Sequence, residues 1–442
     1  MIRMMVPVVV WMLCSVGSAQ AQTLPETVAQ ALAYAPSMQA AEAARRASDE
    51  DFVLGRAWLR PYVVAKGAIY TRDQDYTYKR PNPILANKVM NHQRSYGVTL
   101  YQPLFDLEKW AGYQQGKLLR ATGELKLALQ RQQVMLQVAA AWLAVVRAQA
   151  GLAAAAQSER EMSRVAKQAQ VAFDVGTVAV NDSLSASSRR DLAKARRIRA
   201  AQALAEARAR LDSLAGHPVS MHVELPAHVQ PLRAEPDQLA VWERRAASAA
   251  IDVQLHDDAL EMADAGKLKA LGGALPKVQV VAGWNRDNSS DGIYGGTQLT
   301  DASIGVEFSM PLYAGGGTWA QQRKSLHQKR QAEFALQEAK RSARLAAREA
   351  FLELQTTAAE VQALDAALAS AKVERRAAAA GYAAGIRSVT ETLDAEARLA
   401  IAKQRYADAV ARHSMAYLRL LAAANQLTVE RMRAVDRLFG AS

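Results

Sequence analysis

The sequence predicts an α+β membrane protein with an internal twofold repeat, an oligomeric tube of strands continued by long helices. Three observations carry this. Gly176–Ala186 reads GTVAVNDSLSA and Gly385–Ala395 reads GIRSVTETLDA, sharing Gly-x3-Val-x-acid-x-Leu-x-Ala, with an aromatic (Phe173, Tyr382) three residues before each glycine. Repetition at about half the chain length marks one structural unit built twice. Four segments alternate apolar and polar residues with period two, the signature of strands with one apolar face. Two stretches, 105–175 and 317–384, hold no proline and are rich in Ala, Arg, Glu, Gln and Leu, so each reads as a single helix about 100 Å long.

In chain order, residues 1–21 read as a secretory leader. Arg3 is its only charge, Met4–Cys14 is apolar, and Ala19-Gln20-Ala21 offers a small-x-small cleavage site. Cys14, the only cysteine, falls inside that segment, so a mature chain starting at Gln22 holds no disulfide or thiolate metal site. The first repeat, 22–215, contains a helix over about 24–56, a hairpin over 61–102, the long helix 105–175, a tip at 176–186 and a helix over about 182–215. A linker at 216–235 is broken by Pro218, Pro226 and Pro231. The second repeat, 236–427, repeats the order: a helix over about 236–270, a hairpin over 276–311, the long helix 317–384, a tip at 385–395, and a helix over about 391–424. Residues 428–442 read as a tail.

The strand segments are Tyr62–Arg72, Ser95–Gln102, Lys277–Asn285 and Ser303–Met310. Their apolar faces are Val63, Ala65, Gly67 and Ile69; Tyr96, Val98 and Leu100; Val278, Val280, Ala282 and Trp284; and Ile304, Val306, Phe308 and Met310. Runs of this kind suit tilted membrane-spanning strands or a half-buried soluble sheet. The connecting loops, Asp73–Gln93 (with Pro81, Asn82 and Pro83) and Arg286–Thr300, are rich in turn formers. Pro61 and Pro276 are 215 positions apart but Pro103 and Pro311 only 208, so the second loop is seven residues shorter. Length changes collect at exposed tips.

The chain carries 55 Lys and Arg against 43 Asp and Glu. The basic residues are interleaved with Ala, Glu and Gln at helical spacing, as in Asp191–Leu211, which reads as solvated helix faces; with export from the cytoplasm this argues against nucleic acid as a partner. After the leader no run of about 18 apolar residues is expected, so a membrane would be crossed by strands. No phosphate-binding loop, nucleophile elbow or carboxylate pair in a plausible pocket occurs. His217, His222 and His228 lack metal-like partners in the linker, and Gly315-Gly316-Gly317 sits at a strand-to-helix joint. The expectation is a conduit, without cofactor or metal and without enzymatic activity.

Four strands cannot close a barrel, and an open edge in lipid leaves backbone groups unsatisfied. Transmembrane strands would therefore be pooled between chains. Eight strands leave a bore filled by side chains, whereas twelve leave an open lumen.

The chain resembles the TolC family of outer-membrane exit ducts over essentially its whole mature length. The resemblance rests on the twofold repeat, on the junctions QPLFD (Gln102–Asp106) and PLYAGG (Pro311–Gly316), on the two glycine tips, and on ALAYAPSM (Ala31–Met38), where Tyr34-Ala35 departs from the family's usual Asn-Asn. It implies a homotrimer with a trimeric 12-stranded transmembrane β-barrel, four strands per chain, in outer-membrane lipid. A long α-helical coiled-coil barrel would continue it into the periplasm. The implied partners are a periplasmic adaptor protein and an inner-membrane ABC transporter or proton-driven pump.

Carried over by position, the resemblance makes Tyr382 and Arg387 a gate latch with Asn181 and Asp182, and makes Glu391 and Asp394 pore-constriction acids. Gly176 and Gly385 would shape the tip turns that the adaptor grips. The residues alone also support helix capping: Ser388-x-x-Glu391 is a capping box, and Asn181-Asp182 suits a helix start. The tip Gly381–Leu399 resembles that of type I secretion members of the family more than that of drug-efflux members, which implies type I protein secretion over drug efflux as the system served. A structural periplasmic coiled coil and an always-open porin are the competing readings.

Overall fold

The computed structural model describes residues 22–75, 77, 79, 88–221, 226, 228–291 and 295–439. The leader, Pro81, Asn82, Pro83 and His222 lie outside the described residues. Two compact units are present. One takes the chain up to Gln39, then Gln130–Ala246 and from Arg344 onward; the other takes Ala40–Leu129 and Ala247–Ala343.

The second of these units holds the sheet. Strands β1 (Tyr62–Asp75), β2 (Lys88–Phe105), β3 (Lys277–Ser289) and β4 (Thr297–Ser309) pair antiparallel in the order β1-β2-β3-β4. The seam between the repeats is β2 against β3, with Val98 opposite Trp284. Register puts the alternating apolar positions on one face. Val63, Leu100, Ala282 and Ile304 form one row, and Ala65, Val98, Trp284 and Ala302 the next. The other face carries rows such as Lys66, Gly97, Asn285 and Asp301. The apolar face is uncovered: Ile304 is 79% exposed, Val306 69% and Val63 60%. Among the described residues β1 pairs only with β2, and β4 only with β3. Pro103 is accommodated because the β2–β3 register shifts there in a bulge.

The strands run past the expected ends. Arg286–Ser289, Thr297–Thr300, Asp73–Asp75 and Lys88–Gln93 were expected as loop and are strand. Apart from Val89, Met90 and Leu299 these stretches are polar, which hides the alternation, but the backbone ladder continues, with Asn288 opposite Gln298 and Asp73 opposite Met90. Met310 falls just beyond β4.

The helices are α1 (Leu24–Tyr34), α2 (Pro36–Ala57), α3 (Leu107–Asp174), α4 (Val180–Ala215), α5 (Leu239–Ala249), α6 (Ile251–Gly272), α7 (Gly317–Ala383), α8 (Val389–Ala423) and α9 (Val429–Leu438). Each long helix forms as one piece. The shorter ones expected over about 24–56 and 236–270 are each divided. The first breaks at Ala35, whose ψ of 122° is set by the following Pro36. The second breaks at Ala250, ψ 136°, where no breaker residue stands. The expected tail contains α9, which packs on α1, where the Leu24 N–H donates to Asp436 Oδ1 at 3.1 Å; just past α9, the Phe439 ring meets Trp142 of α3 edge to face. Contrary to expectation, α3 does hold an 18-residue window apolar enough by composition to cross a bilayer. Val138, Trp142, Val145 and Val146 on it are buried.

Arginines lace the helices together. Arg412 meets Glu360 and Arg398 meets Glu374 between α8 and α7, each at 2.7 Å; Arg197 meets Glu159 between α4 and α3 at 2.5 Å. Each such half-solvated pair adds about 0–1 kcal/mol. The linker is tied down similarly: His228 Nδ1 lies 2.6 Å from Asp365 Oδ2, and His217 Nε2 lies 2.9 Å from Gln30 Oε1.

His413 on α8 is fully buried, with Nδ1 3.0 Å from Thr357 Oγ1. Burial drives its pKa from 6.5 down to about 4. The unfolded chain takes up a proton near pH 6.5 that the folded chain refuses. Stability from this site is therefore intact above pH 6.5 and declines toward pH 4, by about 1.4 kcal/mol per unit. Denaturant titrations of wild type and His413→Asn between pH 7 and 4 should show this component of the slope only in wild type.

Candidate functional site

The two tips are the same turn made twice. At the end of α3, Gly176 has φ +78°, its N–H donates to Phe173 O at 2.8 Å, and the Thr177 N–H donates to Ala172 O at 2.8 Å. At the end of α7, Gly385 has φ +73°, its N–H donates to Tyr382 O at 3.0 Å, and the Ile386 N–H donates to Gly381 O at 2.8 Å. These bonds satisfy the last carbonyls of each long helix, and the left-handed conformation they need favours glycine. The aromatic three residues upstream thus stands where the glycine N–H lands.

The next helices start differently. Ser388 caps α8 by accepting from the Glu391 N–H at 3.2 Å. The cap of α4 is Ala179, with no side-chain bond, so Asn181 and Asp182 lie inside the first turn and do not cap it. Behind the turns, Met162, Val165, Ala166 and Ala169 of α3 pack with Ala186 and Ala193 of α4 and with Val389 and Leu393 of α8; Tyr382 lies against this cluster.

The charged residues sort as follows. Arg387 reaches Glu391 one turn on, at 3.9 Å. Asp394 is bound by Arg189 of α4. Among the described residues no hydrogen bond or ion pair joins Arg387 or Tyr382 to Asn181 or Asp182, so the structure does not bring the four latch residues together within one chain. Glu396, two residues beyond Asp394, is buried with Oε1 unpartnered, and burial raises its pKa against the lowering effect of Arg375. Lys403 is lowered by burial and donates to Gln157 Oε1 at 2.5 Å. Arg189 and Glu396 escape a reading of sequence alone, because their neighbours lie on helices distant in the chain. The one available signal is the seven-residue spacing of Ala186 and Ala193 around Arg189. No group of His, Cys, Asp and Glu able to hold a metal occurs among the described residues.

The pattern of the outer membrane efflux protein family matches residues 27–217 and 240–426. The chain belongs to that family. One matched stretch covers the run from α1 to α4 and the other the run from α5 to α8. The chain is 25% identical over 400 residues to the alkaline protease secretion protein AprF of Pseudomonas aeruginosa, spanning 88% of this chain and 82% of that one. It is 27% identical over 406 residues to the outer membrane protein TolC of Escherichia coli K12, spanning 88% and 79%. Its fold is shared with the outer membrane protein VceC of Vibrio cholerae, at a TM-score of 0.75 and 15% identity, over 91% of this chain and 95% of that one.

Outer membrane efflux proteins are channels rather than enzymes, and this chain is an outer-membrane protein. Such a protein needs a sheet face that tolerates hydrocarbon. The uncovered face bearing Val63, Val98, Ile304 and Val306 supplies it.

The tip geometry sets a clear expectation. Gly385→Ala should cost about 1–2 kcal/mol through its left-handed φ. Gly151→Ala, at a helical site with open space around it, should be neutral or stabilising by up to about 1 kcal/mol. Thermal unfolding of the two variants side by side checks the difference.

Proposed function

We propose that the chain forms, as a homotrimer, the exit duct of a tripartite type I protein-secretion system. Three chains contribute four strands each to a 12-stranded barrel in the outer membrane, and their long helices build a coiled-coil barrel through the periplasm. The observation that carries this is the pair of free sheet edges, β1 and β4, on a sheet whose apolar face is bare. In lipid each unsatisfied backbone group costs several kcal/mol, and only closure between chains removes both edges. Twelve strands leave a lumen where eight do not.

The helical tips are the periplasmic entrance. Gly176 and Gly385 shape the turns that a periplasmic adaptor grips, and an inner-membrane ABC transporter supplies the energy. Glu391 and Asp394 line the constriction. Asp182 and Asn181, without a side-chain partner among the described residues, stand ready for Arg387 and Tyr382 of a neighbouring copy. A charge-assisted pair of this kind is strong enough to hold and, being solvated, weak enough to break. Protein cargo is favoured over small molecules by the tip sequence Gly381–Leu399 and by the likeness to a protease secretion protein.

Deleting the gene tests this. The expected result is a protein retained inside the cell that wild type releases to the medium, with drug susceptibility unchanged. Drug hypersensitivity with normal protein release would make the chain the exit duct of an efflux pump driven by protons or ATP. Recovery of the protein as a soluble periplasmic monomer would overturn the duct altogether.

A further inference from the structure

The contact between Arg189 and Asp394 has a place and a chemistry that the family likeness does not supply. Ala186 and Ala193 flank Arg189 by about one turn on either side along α4, and Val389 and Leu393 precede Asp394 on α8. Packing of these small and branched side chains presses the two helices together at this level, and the guanidinium meets the carboxylate across the seam. Neither side chain is fully exposed; Arg189 is 31% and Asp394 43% accessible, so the pair is less screened than one at the rim. The neighbouring cations are committed elsewhere: Arg190 to Asp191 at 2.9 Å and Arg398 to Glu374 at 2.7 Å. Arg189 is therefore the cation allotted to Asp394. One turn earlier, Glu391 has Arg387 within 3.9 Å. Each of the two acids on this face of α8 stands beside an arginine of its own chain.

We propose that Arg189 is a specificity-determining residue of the duct, a fixed counter-charge that cancels Asp394 and keeps the entrance from acting as a cation-attracting ring. This rests on the reading that Glu391 and Asp394 line the entrance. A bare set of carboxylates would concentrate cations and repel acidic cargo. With Arg189 in place the acids keep their hydrogen-bonding and packing roles, while the ring's net charge is brought toward zero. An acidic polypeptide could then enter without crossing an electrostatic barrier.

The test uses the purified full-length protein in planar bilayers under a potassium chloride gradient, with reversal potential as the readout. Arg189→Gln should raise the cation-to-anion permeability ratio by roughly twofold or more, since it uncovers one carboxylate per chain. It should also make the conductance sensitive to lanthanum added on the tip side. Arg189→Lys should stay near wild type. The exchanged pair, Arg189→Asp with Asp394→Arg, should restore the wild-type ratio, and it serves if Arg189→Gln fails to assemble. An Arg189→Gln channel, or a single Arg189→Asp channel beside the exchanged pair, with unchanged selectivity overturns the proposal. The double variant Glu391→Gln, Asp394→Asn separates the two ideas. A selectivity shift there without one in Arg189→Gln removes only the counter-charge, whereas no shift in either removes the acids from the entrance as well.

Discussion

The constraint on which the rest of this structure depends is the satisfaction of strand edges. A four-stranded sheet in which β1 and β4 each have one partner leaves two rows of backbone donors and acceptors open. Water could satisfy them, but the apolar rows from Val63 to Ile304 make this face unsuited to water. A chain carrying both features is stable in a membrane only when another edge closes it. The long helices begin at Leu107, one residue past β2, and at Gly317, seven residues past β4, and each runs more than 65 residues without a break.

Two glycines reverse the chain at the ends of the long helices. Gly176 and Gly385 reverse the chain in nearly the same geometry, φ +78° and +73°. The differences between the tips lie in the side chains that follow. One tip is capped by Ser388 and holds its arginine against Glu391; the other begins at an uncapped Ala179 and, among the described residues, leaves Asp182 without a side-chain partner. Two backbones built alike but charged differently suit an arrangement in which one tip meets the other around a ring.

Much of this was legible in the sequence because the relevant signals are local. Period-two alternation identified the apolar sheet face residue by residue, since strand geometry places Val98, Trp284 and Ile304 with little help from their surroundings. The glycine tips were legible for the same reason. The break at Ala35 was not read, although Pro36 is a local cause, and neither were the strand ends. Arg286–Ser289 and Thr297–Thr300 are polar except for Leu299, so nothing distinguishes them from loop until the ladder is seen. The break at Ala250 has no local cause and copies the one at Ala35, which points to packing as its origin. The pairing of Arg189 with Asp394 depends on the register of helices about 200 residues apart, and no local pattern encodes that register.

The central claim is that copies of this chain close one barrel by joining β1 of one to β4 of the next. Cys14 is the only cysteine in the sequence, so single cysteines introduced along β1 and β4 would report on their neighbours in the outer membrane. Oxidation of a series of such pairs should give, at the matching register, a ladder of linked chains that ends at three. A disulfide within one chain, or a ladder ending at another number, would contradict the account.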